Sequence, residues 1–139
     1  MIVLIDTNVV LDVLLQREPY FQDAARINVL SEKGYMNGYI SASAVTDIFY
    51  IAKKETKSRA TARELLKNLL KTIHVAAVTQ DSILEALDLQ WNDFEDSVQY
   101  VTGKNISANY IITRNPADFA NSQVKVLSPE EFLQTFAVE

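Results

Sequence analysis

Acidic residues occur at four points of the sequence where they could act together. They are Asp6, Asp47, the pair Asp93 and Asp96, and Asp118 with the neighbouring Asn115. Carboxylates that lie close together repel one another, so their pKa values rise unless a cation neutralises them. When all the ligands are oxygen atoms, Mg²⁺ and Mn²⁺ are favoured over Zn²⁺. Such a site would hydrolyse phosphodiester bonds with an activated water.

The same acids have a plainer interpretation as helix caps, because Asp and Asn often stand at helix N-termini. Asp6 is placed to cap the first helix, and Asp93 with Asp96 has the spacing of a cap and its third-position partner. Asn115–Asp118 repeats that pattern with proline at the first helical position. Ser128–Glu131 follows the same capping logic with no reason to be catalytic. The convergence of several acids, and not any one of them, therefore favours the metal site.

The elements that must bring these acids together alternate between short apolar runs and longer segments of helical periodicity. This alternation predicts one α/β domain over residues 1–139, with a mostly parallel sheet of about five strands. The predicted strands are Ile2–Ile5, Gly38–Ser41, His74–Val78, Tyr110–Thr113 and Val124–Leu127. The predicted helices are Val9–Leu15, Phe21–Lys33, Ala44–Lys53, Ser58–Leu70, Ser82–Leu89, Phe94–Gly103 and Pro129–Phe136.

This arrangement gives each acid a place relative to the sheet. Asp6 follows the first strand, Asp47 falls in the first turn of the helix after the second strand, and Asn115 and Asp118 follow the fourth strand. The carboxyl ends of parallel strands lie at one edge, where α/β folds bind their ligands. We therefore expect the acids to meet at that edge.

Composition excludes several other kinds of chemistry. The chain has no cysteine and a single histidine, His74, so disulfides, zinc–thiolate sites and thiol nucleophiles are ruled out. The apolar run Ile2–Ile5 has four residues and no basic flank, which is too short for a signal peptide or a membrane span. A cytoplasmic protein that does not interact with a membrane is the default expectation.

The net charge of −5 argues against a nucleic-acid partner until its distribution is considered. Seven basic and two acidic residues lie between Lys53 and Lys71, a local charge of +5. Lys57, Arg63 and Lys67 lie away from the apolar stripe of the helix predicted there. This basic face is either an ordinary solvated surface or a surface that binds the phosphates of RNA or DNA.

Four segments together resemble the PIN domains, the nuclease domains of VapC-type toxins in bacterial and archaeal toxin–antitoxin pairs. They are Val3–Asn8 with Asp12 one turn later, Asp47, Asp93–Asp96 and Ile111–Phe119. The likeness covers essentially the whole chain. It implies a three-layer α/β/α sandwich and an endoribonuclease that uses Mg²⁺ or Mn²⁺ to cut single-stranded or exposed RNA. It also implies an antitoxin partner and homodimerisation.

The resemblance also implies roles for individual acids. By position, Asp6 and Asp96 would be the main metal ligands, and Asp47 would ligate or orient the metal and its water. The fourth acidic position of the family falls at Asn115 or Asp118. Asn115 stands where many members have aspartate, so one metal contact is neutral unless Asp118 substitutes, and the number of metals stays open.

Three polar residues near these acids are candidates for substrate binding. Thr7 and Asn8 could hydrogen-bond a metal-bound water or a phosphate, or they could simply form the turn after the first strand. Arg114 could bind a substrate phosphate, pair with the acids or form a surface salt bridge.

Two other functions compete with the ribonuclease. One is a phosphatase like the haloacid dehalogenases, with Asp6 as nucleophile, although the acid needed two residues later is replaced by Asn8. The other is a non-catalytic PIN-like module that binds RNA or a protein through the basic face, with a pocket weakened by Asn115.

Overall fold

The computed structural model describes residues 1–138, with side chains through residue 136. Its centre is a five-stranded sheet in the order β3-β2-β1-β4-β5, and every neighbouring pair is parallel. The strands are β1 (Ile2–Ile5), β2 (Asn37–Ser41), β3 (His74–Ala76), β4 (Tyr110–Ile112) and β5 (Lys125–Leu127). The parallel α/β class predicted from the sequence is confirmed.

Helices cover both faces of this sheet and complete a three-layer α/β/α sandwich. They are α1 (Thr7–Leu14), α2 (Phe21–Glu32), α3 (Ala42–Thr56), α4 (Arg59–Leu69), α5 (Gln80–Leu89), α6 (Phe94–Asn105) and α7 (Pro129–Val138). One apolar core joins the sheet to α1, α2, α3, α4 and α7, and the other joins it to α5 and α6. None of these helices, within residues 1–138, is long and apolar enough to cross a membrane.

The position of β1 at the centre of the sheet explains why its sequence is apolar throughout. Val3 and Ile5 pack into the core under α1, while Leu4 packs into the core under α6. Side chains of a strand alternate between faces, so a parallel strand covered on both sides must be apolar at every position. Asp6 is the first polar residue after this run and lies at the carboxyl edge of the sheet.

A glycine allows α6 to approach the sheet closely. A Cβ atom on Gly103 would lie 3.3 Å from Leu4 and 3.4 Å from Ile111, which are residues of β1 and β4. Because a larger side chain would push these elements apart, Gly103 helps to hold α6 against the strands whose ends carry the site.

Several sequence-based boundaries near the site differ from the structure: α1 begins at Thr7 and not at Val9, and β4 ends at Ile112 and not at Thr113. Asp47 lies in the second turn of α3 and not in the first, because Ser41 caps the helix by accepting a hydrogen bond from the Ser43 amide across 3.3 Å. The third strand ends at Ala76. Residues Pro116–Phe119 form a short 3-10 helix with proline at its start, as the capping pattern from Asn115 predicts, but the Asn115 side chain makes no capping hydrogen bond.

Candidate active site

Asp6 is the most firmly held acid of the site. It caps α1, and its carboxyl group is buried, with 8% of the residue exposed. Its Oδ1 atom accepts hydrogen bonds from the Thr7 amide and from Gln99 Nε2, both at 2.7 Å. Its Oδ2 atom accepts one from the Thr113 hydroxyl at 2.8 Å. Oδ1 thus has both lone pairs engaged, while Oδ2 retains one for a further partner.

Asp96 lies in the first turn of α6, close to several other carboxylates. Its amide donates a hydrogen bond to Asp93 Oδ1 across 3.1 Å, so Asp93 is the helix cap that the sequence predicts. Burial is the largest of the causes that raise the pKa of Asp96 to about 7. The negative charges of Asp93, Asp6, Asp118 and Glu95 raise it further. The Asp96 carboxyl group therefore binds and releases its proton near neutral pH.

Glu95 connects Asp47 to this group. Burial raises the pKa of Glu95 first, followed by the charges of Asp47, Asp6 and Asp93, while a hydrogen bond from the Thr7 hydroxyl lowers it. That hydroxyl lies 3.5 Å from Glu95 Oε1. Asp47 itself is exposed on α3. The structure thus brings Asp47 to the acids of α6 through Glu95, to which the sequence analysis gave no role.

An open pocket of about 450 Å³ lies between the N-terminus of α6 and the short 3-10 helix. Asp93, Asp96 and Asp118 line it together with Trp91, whereas Asn115 does not. The Asn115 amide instead donates to the Thr113 hydroxyl across 3.2 Å. Of the two candidates for the fourth acidic position, Asp118 is the one that lies near Asp96.

The expectation that three or four carboxylates meet as a single ligand set is not met. Within the described part of the chain, no three acidic or histidine side chains are arranged to hold a metal ion. Like charges repel, and the Asp6 carboxyl group is turned toward three protein donors. The donor chemistry nevertheless suits Mg²⁺, because that ion binds through one or two carboxylates with waters and substrate phosphate as its other ligands.

Arg114 pairs with an acid outside this cluster. Its guanidinium group binds both carboxylate oxygens of Asp12, with 2.8 Å between Nε and Oδ2. Asp12 is buried, with 1% of its side chain exposed. The guanidinium carbon also lies 4.0 Å from the centre of the Tyr20 ring. This pair anchors the segment after β4 to α1. Of the three roles considered for Arg114, the structure shows a pair with an acid, although that acid does not line the pocket.

The remaining sequence candidates fall into two groups. Thr7 is buried and donates to Glu95, while Asn8 is exposed in the first turn of α1. Lys57 ends α3, and Arg63 and Lys67 are exposed on α4. None of these three cations lines the acidic pocket.

Sequence analysis missed Gln99, which is buried with 1% exposed and donates to Asp6. A signal was present, since Gln99 lies one helical turn after Asp96 and is a long polar residue among the apolar neighbours Val98 and Val101. Its partner lies 93 residues away in the chain, which helical spacing cannot indicate.

Comparison with known proteins shows to which family this chain belongs. The model of the PIN domain family matches residues 2–117, which is most of the chain. The chain belongs to the PIN domain family. Ribonuclease VapC1 of Aquifex aeolicus (strain VF5) is 27% identical to this PIN domain over 139 residues, covering 95% of this chain and 93% of the relative.

Solved structures share the fold of this PIN domain at lower identity. A toxin–antitoxin complex from Klebsiella pneumoniae matches with a TM-score of 0.68 and 22% identity, over 91% of this chain and 97% of that one. VapBC2 from Rickettsia felis, bound to a DNA fragment from its promoter, matches with a TM-score of 0.69 and 13% identity. That match covers 92% of this chain and 98% of the other. These likenesses confirm the PIN-like α/β/α fold.

Proposed function

We propose that this PIN domain is a divalent-metal-dependent endoribonuclease of the VapC toxin type. The observation that carries the proposal is the group of carboxylates around Asp96, which raises the pKa of that residue to about 7 at the carboxyl edge of the sheet. A site that concentrates negative charge in this way favours a bound cation. The similarity to a relative named as a ribonuclease supports RNA as the substrate.

Asp6 and Asp96 would be the main ligands of Mg²⁺ or Mn²⁺, with Asp47 and Asp118 at the margins of the site. Asp6 has a free lone pair on Oδ2, because that atom accepts one hydrogen bond, from the Thr113 hydroxyl. A divalent cation supplies this kind of site with an activated water and with neutralisation of the charge on the phosphodiester. The protein's own contribution is to fix Asp6 in position and to hold Asp96 in a partly buried pocket.

Substrate contacts would come from groups around the acids. Asn8 is exposed at the start of α1, and Thr7 stands between Asp6 and Glu95. Lys57, Arg63 and Lys67 supply positive charge for the RNA backbone. Arg114 acts through its pair with Asp12 by positioning the segment between β4 and the 3-10 helix.

The partners proposed for this chain are an antitoxin protein and a second copy of itself. The structural relatives from Klebsiella pneumoniae and Rickettsia felis were solved as toxin–antitoxin assemblies, which supports the first. The family resemblance is the ground for proposing a homodimer. Light scattering of the purified chain would test that proposal. A toxin of this type would act in the cytoplasm.

The experiment that tests the activity uses a fluorescent single-stranded RNA and the purified wild-type chain. We expect cleavage in the presence of Mg²⁺ or Mn²⁺ and none after a chelator is added. The absence of cleavage with both ions, with the protein folded and the RNA bound, would contradict the proposal.

A non-catalytic module that binds RNA or protein is the second candidate. It is favoured by one observation, namely that no three acids in the described part of the chain converge as metal ligands. Binding of RNA without cleavage at any metal concentration would support it. The phosphatase alternative is not supported, because the chain belongs to the PIN domain family and not to the haloacid dehalogenases.

A further inference from the structure

A second pocket, of about 370 Å³, lies where α3 ends and α4 begins. One aromatic ring, four cations and one hydroxyl surround it. We call it the Tyr50 pocket, and the residues that line it are Tyr50, Lys53, Lys54, Lys57, Ser58 and Arg59. The function proposed above does not account for an exposed aromatic ring in this position.

The local sequence explains why these residues lie together. Lys53, Lys54 and Lys57 follow Tyr50 by three, four and seven residues, which places all four on one side of α3. Lys57 then takes a left-handed conformation with φ of 57°, which ends α3 and reverses the chain. Ser58 caps α4 at once by accepting a hydrogen bond from the Thr61 amide across 3.1 Å.

The positive charge of this pocket is not cancelled by nearby acids. Glu55 is the acidic residue in the turn of α3 that also contains Lys53 and Lys54, and it binds Arg17 across 2.6 Å. No ion pair among residues 1–138 includes any of the four cations. A strongly positive pocket therefore stands on a chain whose net charge is −5.

Tyr50 leaves 63% of its surface exposed next to these cations. An exposed ring surrounded by cations is the combination with which proteins bind single-stranded nucleic acids. The ring stacks on a base, and the cations bind the phosphates on either side. Stacking tolerates any base, because every base has a π-face.

The pocket adjoins the acidic site along α3. Asp47 precedes Tyr50 by three residues, so the two lie on neighbouring positions of the helix, about 4.5 Å apart along its axis. Asp47 in turn acts on Glu95 and so belongs to the group of acids around Asp96. An RNA strand that has its phosphodiester at these acids and runs along α3 would therefore pass Tyr50.

We propose that the Tyr50 pocket binds a nucleotide that flanks the scissile phosphodiester of single-stranded RNA. The ring stacks on the base, and the lysines and Arg59 bind the adjoining phosphates. This inference rests on the proposed ribonuclease function and adds a base-stacking subsite to it.

The test measures RNA binding in the Asp96→Asn background, with fluorescein-labelled single-stranded RNA of mixed sequence and fluorescence anisotropy. Tyr50→Ala should weaken binding about 5- to 100-fold, whereas Tyr50→Phe should retain it. The matched control is Tyr35→Ala. Tyr35 is 64% exposed but precedes β2, at the opposite edge of the sheet, so this variant should bind as the background does.

The cations have their own readout. Lys54→Ala should weaken binding to all sequences and reduce the slope of log affinity against log salt by about 1. Lys125→Ala removes an exposed lysine on β5 and should leave that slope unchanged. RNA that lacks the base at the stacked position should bind the background as weakly as Tyr50→Ala binds intact RNA.

Failure of this inference and failure of the proposed function give different results. If wild type cleaves RNA while Tyr50→Ala binds as tightly as Tyr35→Ala, the subsite is wrong and the ribonuclease stands. If Tyr50→Ala loses binding but wild type does not cleave, the pocket binds RNA and the ribonuclease is wrong. If a polyglutamate peptide occupies the pocket and RNA does not, its ligand is an acidic protein segment and the subsite is overturned.

Discussion

Gln99 Nε2 donates a hydrogen bond to Asp6 Oδ1 across 2.7 Å, and this bond joins the middle of α6 to the end of β1. The other amide atom of the same side chain, Oε1, is buried and has no partner in the described part of the chain. A buried polar atom without a partner costs free energy, so a side chain that only filled space here would be better replaced by an apolar one. Orientation of Asp6 explains why glutamine stands at this position.

Replacing Gln99 should therefore reduce activity more than stability. Gln99→Met keeps the volume, removes the unpaired oxygen and deletes one donor to Asp6. We expect the Mg²⁺ concentration for half-maximal cleavage to rise about 10- to 100-fold, as is usual when a group that orients a metal ligand is lost. The melting temperature should change little, because the two effects on stability oppose each other. Cleavage by Gln99→Met with wild-type metal dependence would contradict the role of Gln99.

The raised pKa of Asp96 predicts how stability depends on pH in the absence of divalent metal. The folded pKa of about 7 lies above the usual value of 3.8, so the native state binds this proton more tightly than the unfolded chain does. Its contribution to stability is complete below about pH 4 and is lost as the pH rises through 7. Asp96→Asn should therefore stabilise the protein at pH 8 by about 1 to 2 kcal/mol, after allowance for solvent screening.

Thermal melting at pH 4 and pH 8 in a chelator measures this difference. The gain at pH 8 should disappear at pH 4. Glu131→Ala provides a control of opposite sign, because hydrogen bonds with Ser128 lower the pKa of Glu131. That variant should melt lower than wild type at pH 8. An Asp96→Asn variant that is less stable than wild type at pH 8 would show that the Asp96 charge is not under strain.

Addition of Mg²⁺ should stabilise the wild type at pH 8. A ligand that binds the folded state at 100 times its dissociation constant adds about 2.7 kcal/mol. Most of this gain should be absent in Asp6→Asn and retained in Glu131→Gln, which alters an exposed acid that does not line the acidic pocket. Melting with NaCl at matched ionic strength separates binding from screening. Equal stabilisation of all three proteins would contradict a specific metal site.

The Asp12–Arg114 pair should behave as a structural unit. Arg114→Met leaves the buried Asp12 carboxylate without its cation and should destabilise the protein by about 3 to 5 kcal/mol. Asp12→Asn combined with Arg114→Met should recover most of that loss, because the buried charge is gone. Denaturant unfolding of the two single variants and the double variant measures the coupling. Additive losses would contradict a direct structural pair.

Local sequence patterns were sufficient to predict the helices and strands of this molecule and their order. The strand Ile2–Ile5 was predicted with its observed bounds, because a four-residue apolar run before a capping acid has few alternatives. All five strands and all seven α-helices were anticipated, because short apolar runs alternate with longer segments of helical periodicity. The pattern Asn115–Asp118 indicated that a helix begins at Pro116, but not that it is a short 3-10 helix, since that depends on how the segment after β4 returns to the sheet.

The site was predictable only in part. Asp6 and Asp96 stand at element boundaries, which the sequence marks, whereas Gln99 and the Asp12–Arg114 pair depend on contacts between segments 93 and 102 residues apart. That Asp118, and not Asn115, lines the pocket with Asp96 likewise depends on the conformation of the 3-10 helix. Which residues are acids can be seen in the sequence, but what each acid contacts cannot.

The central claim is that the carboxylates around Asp96 form the active centre of a ribonuclease. The rate of cleavage of a fluorescent single-stranded RNA in Mg²⁺ tests it, with Asp6→Asn and Asp96→Asn compared against Glu131→Gln. Each of the first two should lower the rate by about two to three orders of magnitude, because they remove charge at the reacting centre. Glu131→Gln should match the wild type. Wild-type rates in folded Asp6→Asn and Asp96→Asn would contradict the claim.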